Sequence, residues 1–399
     1  MRGIDVCFDR DIKSIQLHTD GRPLAEPVIE LGSGEQVLLT FDDLSSSTRN
    51  FVYKITLCDA DWNESNLLFS EYIAGFQQDN IQDYHQSFNT LVGYTFFTLR
   101  IPNANTELKL SGNYKIQVMN DDEPEKVLFQ KGFSVVERTL PFTALCEIRR
   151  NTLSGQPNCS QQLNLKVDYQ GVNVQNPRTD VKVRITQNSF YLPVAPPTPV
   201  FITPTGIDYS FYDKNLYAGG EDYRQFDISS FEYRTLRVRK IQVIDEKYQV
   251  LLDLDAIVRQ HIAYQDRNGS YIVRNARYED NSNTESDYAD VFFTLLTHRP
   301  LQGKVYVFGE FTNWELSEEY LMLYSAERAC YELTLPVKQG YYNYRYVLLN
   351  DNNEADFSAI ENCSDETENT YGVYVFYRGL TDRHDRLVNA TWVNSQNAI

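Results

Sequence analysis

Methionine and histidine are scarce, at 3 and 5 residues in 399, and the familiar catalytic signatures are missing altogether. There is no Gly-x-Ser-x-Gly elbow, no His-Glu-x-x-His, no phosphate-binding loop and no dinucleotide fingerprint; Gly32 and Gly34 lack both the third glycine and a following helix. His18, His85, His261, His298 and His384 are scattered singly through ordinary segments, so nothing marks any of them as a general base. No Cys-x-x-Cys occurs and no cysteine has a histidine at zinc-like spacing, which argues against a metal site. Apolar runs are short and interrupted, which argues against a membrane-spanning helix. These absences point away from enzymes, and neither a catalytic residue nor a cofactor is expected.

What the chain does have is apolar and aromatic: 42% hydrophobic residues, with 28 Tyr, 22 Phe and 3 Trp. Tyrosine joins a flat apolar body to a polar tip and suits half-buried sheet faces and binding surfaces. With few helix-like runs, the expected class is all-β, built from tandem immunoglobulin-like sandwiches. Lys and Arg number 37 against 55 Asp and Glu, a formal charge of −18. Such a surface repels phosphate, so neither nucleic acid nor an anionic lipid surface is an expected partner. Cys7, Cys58, Cys146, Cys159, Cys330 and Cys363 leave disulfide pairing open. The N-terminal Met1–Asp11 has two Arg and no apolar stretch of signal-peptide length, so the protein is either cytoplasmic or has lost an export signal.

Residues 1–138 read as one immunoglobulin-like domain. Ile15 and Leu17 alternate with Ser14, Gln16 and His18, and Phe51, Tyr53, Ile55 and Leu57 share a face. Gly112 followed by Tyr114 reads as a tyrosine corner, whose hydroxyl bonds the preceding backbone. Residues 139–287 form a middle β-rich domain with strands at Leu163–Tyr169, Val181–Ile185 and Leu236–Ile244; a phase slip near Lys240 predicts a bulge. A short helix is expected over Asp253–Ile262, and Asn281–Asp287 reads as a polar interdomain linker. Residues 288–378 form a third sandwich, in which Gly340–Tyr346 echoes Gly112–Val118, and 379–399 is a polar tail.

Asp59 and Asp61, with Asn63 and Glu64, have calcium-ligand chemistry, but no glycine-containing calcium loop accompanies them and a polar turn is the better reading. Val307–Trp314 followed by Gly340–Tyr346 resembles the starch- and glycogen-binding sandwich family. That resemblance implies sugar stacking on Trp314, a cationic contact from Arg345 and a hydroxyl contact from Asn369. The family's second stacking Trp, due near Asn352–Phe357, is missing, and only Phe357 is close. The reading preferred to glycan binding is therefore that Trp314 packs at a corner of an inherited scaffold.

A second resemblance covers most of positions 11–388. It rests on Asp11–Leu17, Pro27–Gln36, Leu39–Leu44, Cys58–Trp62, Glu71-Tyr72, Gly75-Phe76, Ser87–Leu91 and Ser111–Tyr114. Gly219-Gly220, Phe226–Ile228, Gln339–Tyr344 and Asp385–Leu387 extend it. In these segments the chain resembles the plug-protein family of the bacterial type IX secretion system. The resemblance implies a non-enzymatic periplasmic protein, associated with the outer membrane only through its partner, the translocon barrel. It would block that pore while no cargo shuttle is engaged, and a homo-oligomer is not expected. The Cys58–Pro102 stretch, aromatic-rich and without catalytic groups, is the expected docking segment, through Trp62, Glu71, Tyr72, Phe76, Tyr84 and Phe88. The simpler reading is that its aromatics fill the first domain's core. The alternative function is a periplasmic glycan-binding protein using the C-terminal sandwich.

Overall fold

Alternating apolar residues give strands throughout the computed structural model, which describes residues 6–47, 49–150, 159–210 and 215–397. The strands assemble into three two-sheet sandwiches, as the all-β pattern requires. In the first, one sheet runs in the order Val6–Cys7, Glu123–Val136, Gly112–Asn120, Phe51–Cys58, Gln78–Asn80, with Val28–Glu30 added parallel to Glu123–Val136. The facing sheet runs Ile12–Thr19, Val37–Asp43, Thr95–Ile101, Asp83–Gln86. Phe41, Phe51, Phe97 and Phe129 meet between them, with ring centroids 4.8–5.3 Å apart. Ser14 bulges out of its strand at φ 51°, which keeps Ile12, Ile15 and Leu17 all on the core side.

Both glycine–tyrosine corners are present. Tyr114 donates its hydroxyl to the Leu110 carbonyl at 2.7 Å, and Tyr342 donates to the Lys338 carbonyl at 2.6 Å. Each hydroxyl reaches four residues back, the same device in two sandwiches. The bulge at Lys240 is also there, as a register shift between Val238 and Lys240.

Sheet membership departs from the expected boundaries. The middle sandwich pairs Val181–Gln187 with Thr370–Tyr377, which in turn pairs with Arg386–Asn394. The expected polar tail thus includes an ordered strand, Arg386–Asn394, with Leu387, Val388 and Ala390 buried. Tyr371, Val373 and Val375 fill the middle core and not the third. Conversely, Arg224–Asp227, Val238–Ile244, Lys247–Leu252 and Tyr271–Val273 join the third sandwich. The third sandwich is therefore inserted into the middle one, between Leu216–Ala218 and Thr370–Tyr377. Where the two chain crossings pass, Cys159 and Cys363 form a disulfide and Ser364 N–H donates to the Gly220 carbonyl at 2.7 Å. Over 253–262 only the short strand Asp255–Ala256 forms; Arg224 and Arg237 pair with Asp255 and hold it out of a helix.

The first sandwich rests on both others. Against the middle one, Val28, Ala60 and Val136 pack on Phe190, Tyr191, Tyr374, Phe376 and Leu387. Against the third, Tyr94 and Phe96 pack on Tyr288, beside a buried Lys338–Asp42 ion pair at 2.7 Å. Residues 281–287 are no free linker: Tyr94 donates its hydroxyl to the Ser286 carbonyl, and Asp287 accepts the Leu91 and Val92 amides. The body is a closed set of three mutually braced sandwiches, not an elongated row.

Candidate docking surface

After Cys58 the chain leaves its sheet through the turn that the sequence favoured over a calcium loop: Asp59 Oδ1 accepts the amides of Asp61 and Asn63 at 2.8 and 3.0 Å. Trp62 takes φ 66° in this turn and meets Phe190 of the middle sandwich edge-on at 5.6 Å. A single helical turn, Phe69–Tyr72, follows, then Ile73–Gly75, which pairs with Thr106–Leu108. Gly75 lies at φ 97°, and a Cβ there would sit 2.2 Å from the Asn105 carbonyl, so the close approach requires glycine. The next two strands, Gln78–Asn80 and Asp83–Gln86, close one sheet and then the other at the same side of the sandwich, hinged on buried Ile81.

This path turns large apolar side chains to solvent. Leu68, Phe69, Phe76, Tyr84, Phe88 and Leu91 are all exposed, Phe76 at 61% and Phe88 at 66%. Single exposed hydrophobics are ordinary; six between Leu68 and Leu91 make this stretch the candidate for a contact surface. The edges they flank are short, as exposed sheet edges in stable proteins are.

The six residues proposed from sequence divide. Phe76, Tyr84 and Phe88 are on this surface, with the Tyr84 ring 5.6 Å from Phe97 below it. Glu71 is at its border, where it accepts the Leu68 amide and pairs with Arg383 of the middle sandwich. Tyr72 is 3% exposed, 6.2 Å from Tyr114 in the core, and Trp62 is committed to the seam with the middle sandwich. These two are therefore not on the exposed surface. Sequence reasoning missed Leu68, Phe69 and Leu91, which lie at no readable apolar period.

The residues implied by the sugar-binding resemblance are enclosed. Asn369 is 1% exposed, donating to the Gly219 carbonyl at 2.8 Å and accepting from Asn188 at 2.7 Å. The Arg345 guanidinium lies 3.8 Å over the Tyr223 ring and donates to the Glu221 carbonyl. Trp314 meets Phe308 and Tyr223 edge-on, and a Cβ on Gly269 would come within 2.5 Å of its ring. Asn369 and Arg345 are thus buried, and Trp314 is half-buried among its neighbours.

A cleft of about 790 Å³ with mixed polar and apolar walls opens where the three sandwiches meet, bordered by Arg22, Glu26, Asp266, Arg267, Tyr341 and Trp392. Glu26 accepts both Tyr374 and Trp392 there, and burial pushes its carboxyl up. Burial likewise raises Asp266 to about 6. Among the described residues no helix is long and apolar enough to cross a membrane.

The model of the type 9 secretion system plug protein first domain matches residues 12–137, which is the first sandwich. Over the whole length, the chain is similar to the crystal structure of a hypothetical protein from Parabacteroides merdae ATCC 43184. The two share 31% identity and a TM-score of 0.92, covering 99% of this chain and 100% of that one. Shorter similarity joins it to 1,4-alpha-glucan branching enzymes of Clostridium perfringens, 32% identical over 107 residues in strain ATCC 13124 and 33% in strain 13. The matched part is 26% of this chain and spans only 14% of either enzyme's length.

Proposed function

Because the chain belongs to the plug-protein family of the type IX secretion system, we propose that it is a non-enzymatic stopper. It docks at the periplasmic mouth of the outer-membrane translocon barrel and seals the pore while no cargo shuttle is bound. The observation that carries this reading is the run of exposed aromatic and aliphatic side chains along the segment closing the first sandwich, mounted on a braced body. Protein interfaces draw most of their affinity from a few such aromatic anchors. A body that need not order itself on binding retains more of that affinity. The Cys159–Cys363 bond fits an oxidising compartment such as the periplasm. The acidic surface, formally −18, disfavours direct adsorption to anionic headgroups, which leaves a protein partner as the route to the membrane.

Affinity capture from detergent-solubilised outer membranes tests the proposal. The wild-type chain is expected to recover the translocon barrel. Phe76→Asp combined with Phe88→Asp is expected to cut that recovery at least tenfold, with circular dichroism and melting temperature unchanged, because both side chains already face water. Undiminished capture by the double variant would move the docking surface elsewhere. A wild type that captures no barrel would remove the plug reading altogether.

A further inference from the structure

Glu221, Asp222 and His261 bring their ligand atoms within 4.8 Å of one another, close beside the point where the third sandwich is threaded into the middle one. Glu221 and Asp222 follow Gly219-Gly220 on the inbound crossing, and His261 comes from the irregular stretch between Asp255–Ala256 and Tyr271–Val273. Glu221 and Asp222 are each 4% exposed. Glu221 Oε1 faces His261 Nδ1 directly, and Glu221 Oε2 accepts the Asn362 amide from the outbound crossing at 3.2 Å. Asp222 Oδ2 accepts the Tyr264 N–H at 3.0 Å, while the Tyr264 hydroxyl reaches the Asp222 carbonyl.

Two polar atoms of this cluster are buried without a hydrogen bond of ordinary geometry: Asp222 Oδ1 and His261 Nε2. The Glu368 amide acts on the Asp222 carboxyl without making a hydrogen bond of ordinary geometry, and Arg345 acts on it only through its charge. Arg345 spends its hydrogen bond on the Glu221 carbonyl and its face on Tyr223, and not on either carboxylate. A buried carboxylate oxygen with no donor is costly unless a cation completes it.

We propose that Glu221, Asp222 and His261 form a binding site for a divalent transition-metal ion of the zinc class. One imidazole nitrogen and two carboxylate oxygens suit Zn²⁺ or Co²⁺ better than Ca²⁺ or Mg²⁺, which prefer oxygen alone. Bonds of about 2 Å in a tetrahedral shell place ligand atoms about 3.3 Å apart, so the three groups need only close inward slightly. The ion takes one imidazole nitrogen of His261, the free Asp222 Oδ1 and a Glu221 oxygen, and leaves a fourth position for water. Its effect is structural: it ties the 257–270 stretch to the inbound crossing, near the Cys159–Cys363 bond. Neither the plug reading nor the docking surface is needed for this site.

The full chain, stripped with chelator and dialysed, is titrated with Zn²⁺ by calorimetry and with Co²⁺ by visible absorption. The wild type is expected to take one equivalent of Zn²⁺, to melt higher when loaded, and to give Co²⁺ ligand-field bands of tetrahedral intensity. His261→Asn, at a position bordering solvent, is expected to weaken Zn²⁺ at least tenfold and to abolish the bands. Asp222→Asn is expected to do the same, with folding checked by circular dichroism. No saturable binding by the wild type would overturn the site. Equal binding by wild type and His261→Asn would overturn it too, as that is adventitious uptake by the acidic surface.

Discussion

At Asp266, burial raises the carboxyl to about 6 even though the backbone amides of Tyr223 and Asn268 both donate to it. A folded-state value above the ordinary 3.8 means that the group favours folding while protonated. That contribution is complete below about pH 4 and is lost as pH rises through about 6. A rise of this size corresponds to about 3 kcal/mol. Asp266→Asn keeps the shape and removes the titration. Relative to this variant, the wild type is expected to lose about 2–3 kcal/mol between pH 4 and pH 7.5, by denaturant unfolding at both values. A difference independent of pH would mean that the carboxyl does not titrate in this range. None of this was legible in the sequence, since Asp266 is one carboxylate among 55 acidic residues until the fold surrounds it. The tyrosine corners were legible, because Gly112 to Tyr114 and Gly340 to Tyr342 complete their bond within four residues of chain. Glu221, Asp222 and His261 sit at the other extreme. Some 40 positions separate the histidine from the pair, and no ligand spacing announces them.

Individual strands could be read from alternation, because a period of two is a local property: Ile15 and Leu17, Phe51 to Leu57 and Val181 to Ile185 all lie on strands. Partnership could not. Val181–Gln187 finds its neighbour nearly two hundred residues later in Thr370–Tyr377, and no local pattern encodes that choice. The insertion of the third sandwich was hidden for the same reason, and Asn281–Asp287 looked like a linker because its packing is made by backbone carbonyls and the Asp287 carboxylate, which follow no apolar period. The disulfide is the covalent mark of this topology, joining residues 204 apart where the chain enters and leaves the insert. Cys159→Ser with Cys363→Ser is expected to cost about 2–4 kcal/mol. The loss should stay near the crossings, which also hold through Gly219 N–H to the Cys159 carbonyl at 2.7 Å. Hydrogen exchange would therefore rise first at 215–222 and 359–369 in the double variant. Uniform acceleration across all three sandwiches would show that the bond stabilises the whole fold and not the junction.

On the plug reading proposed above, the body would have to keep its shape against a pore, and that depends on the seams between sandwiches. The seam between the first and third is the more polar. Lys338, 1% exposed, donates to Asp42 Oδ2 and to the Asn283 carbonyl, and Tyr288 also donates to Asp42 at 2.6 Å. Burial pushes Asp42 up and Lys338 down, so each charge persists there only because of the other. Lys338 also stands 4.1 Å over the Tyr94 ring, inside the apolar part of the same seam. Removing one partner of such a pair costs about 3–5 kcal/mol, since the other is left buried and uncompensated. Lys338→Met is thus expected to weaken the contact between two bodies more than either body. By calorimetry the wild type should unfold in one transition and the variant in two, with the first sandwich melting earlier. Asp42→Asn added to Lys338→Met should restore much of the loss, because the stranded charge is gone. If Lys338→Met still melts in a single transition at the wild-type temperature, the ion pair does not lock the sandwiches. The stiffness that plugging requires would then rest on the apolar seam of Val28, Ala60 and Val136 against Phe190, Tyr374 and Leu387.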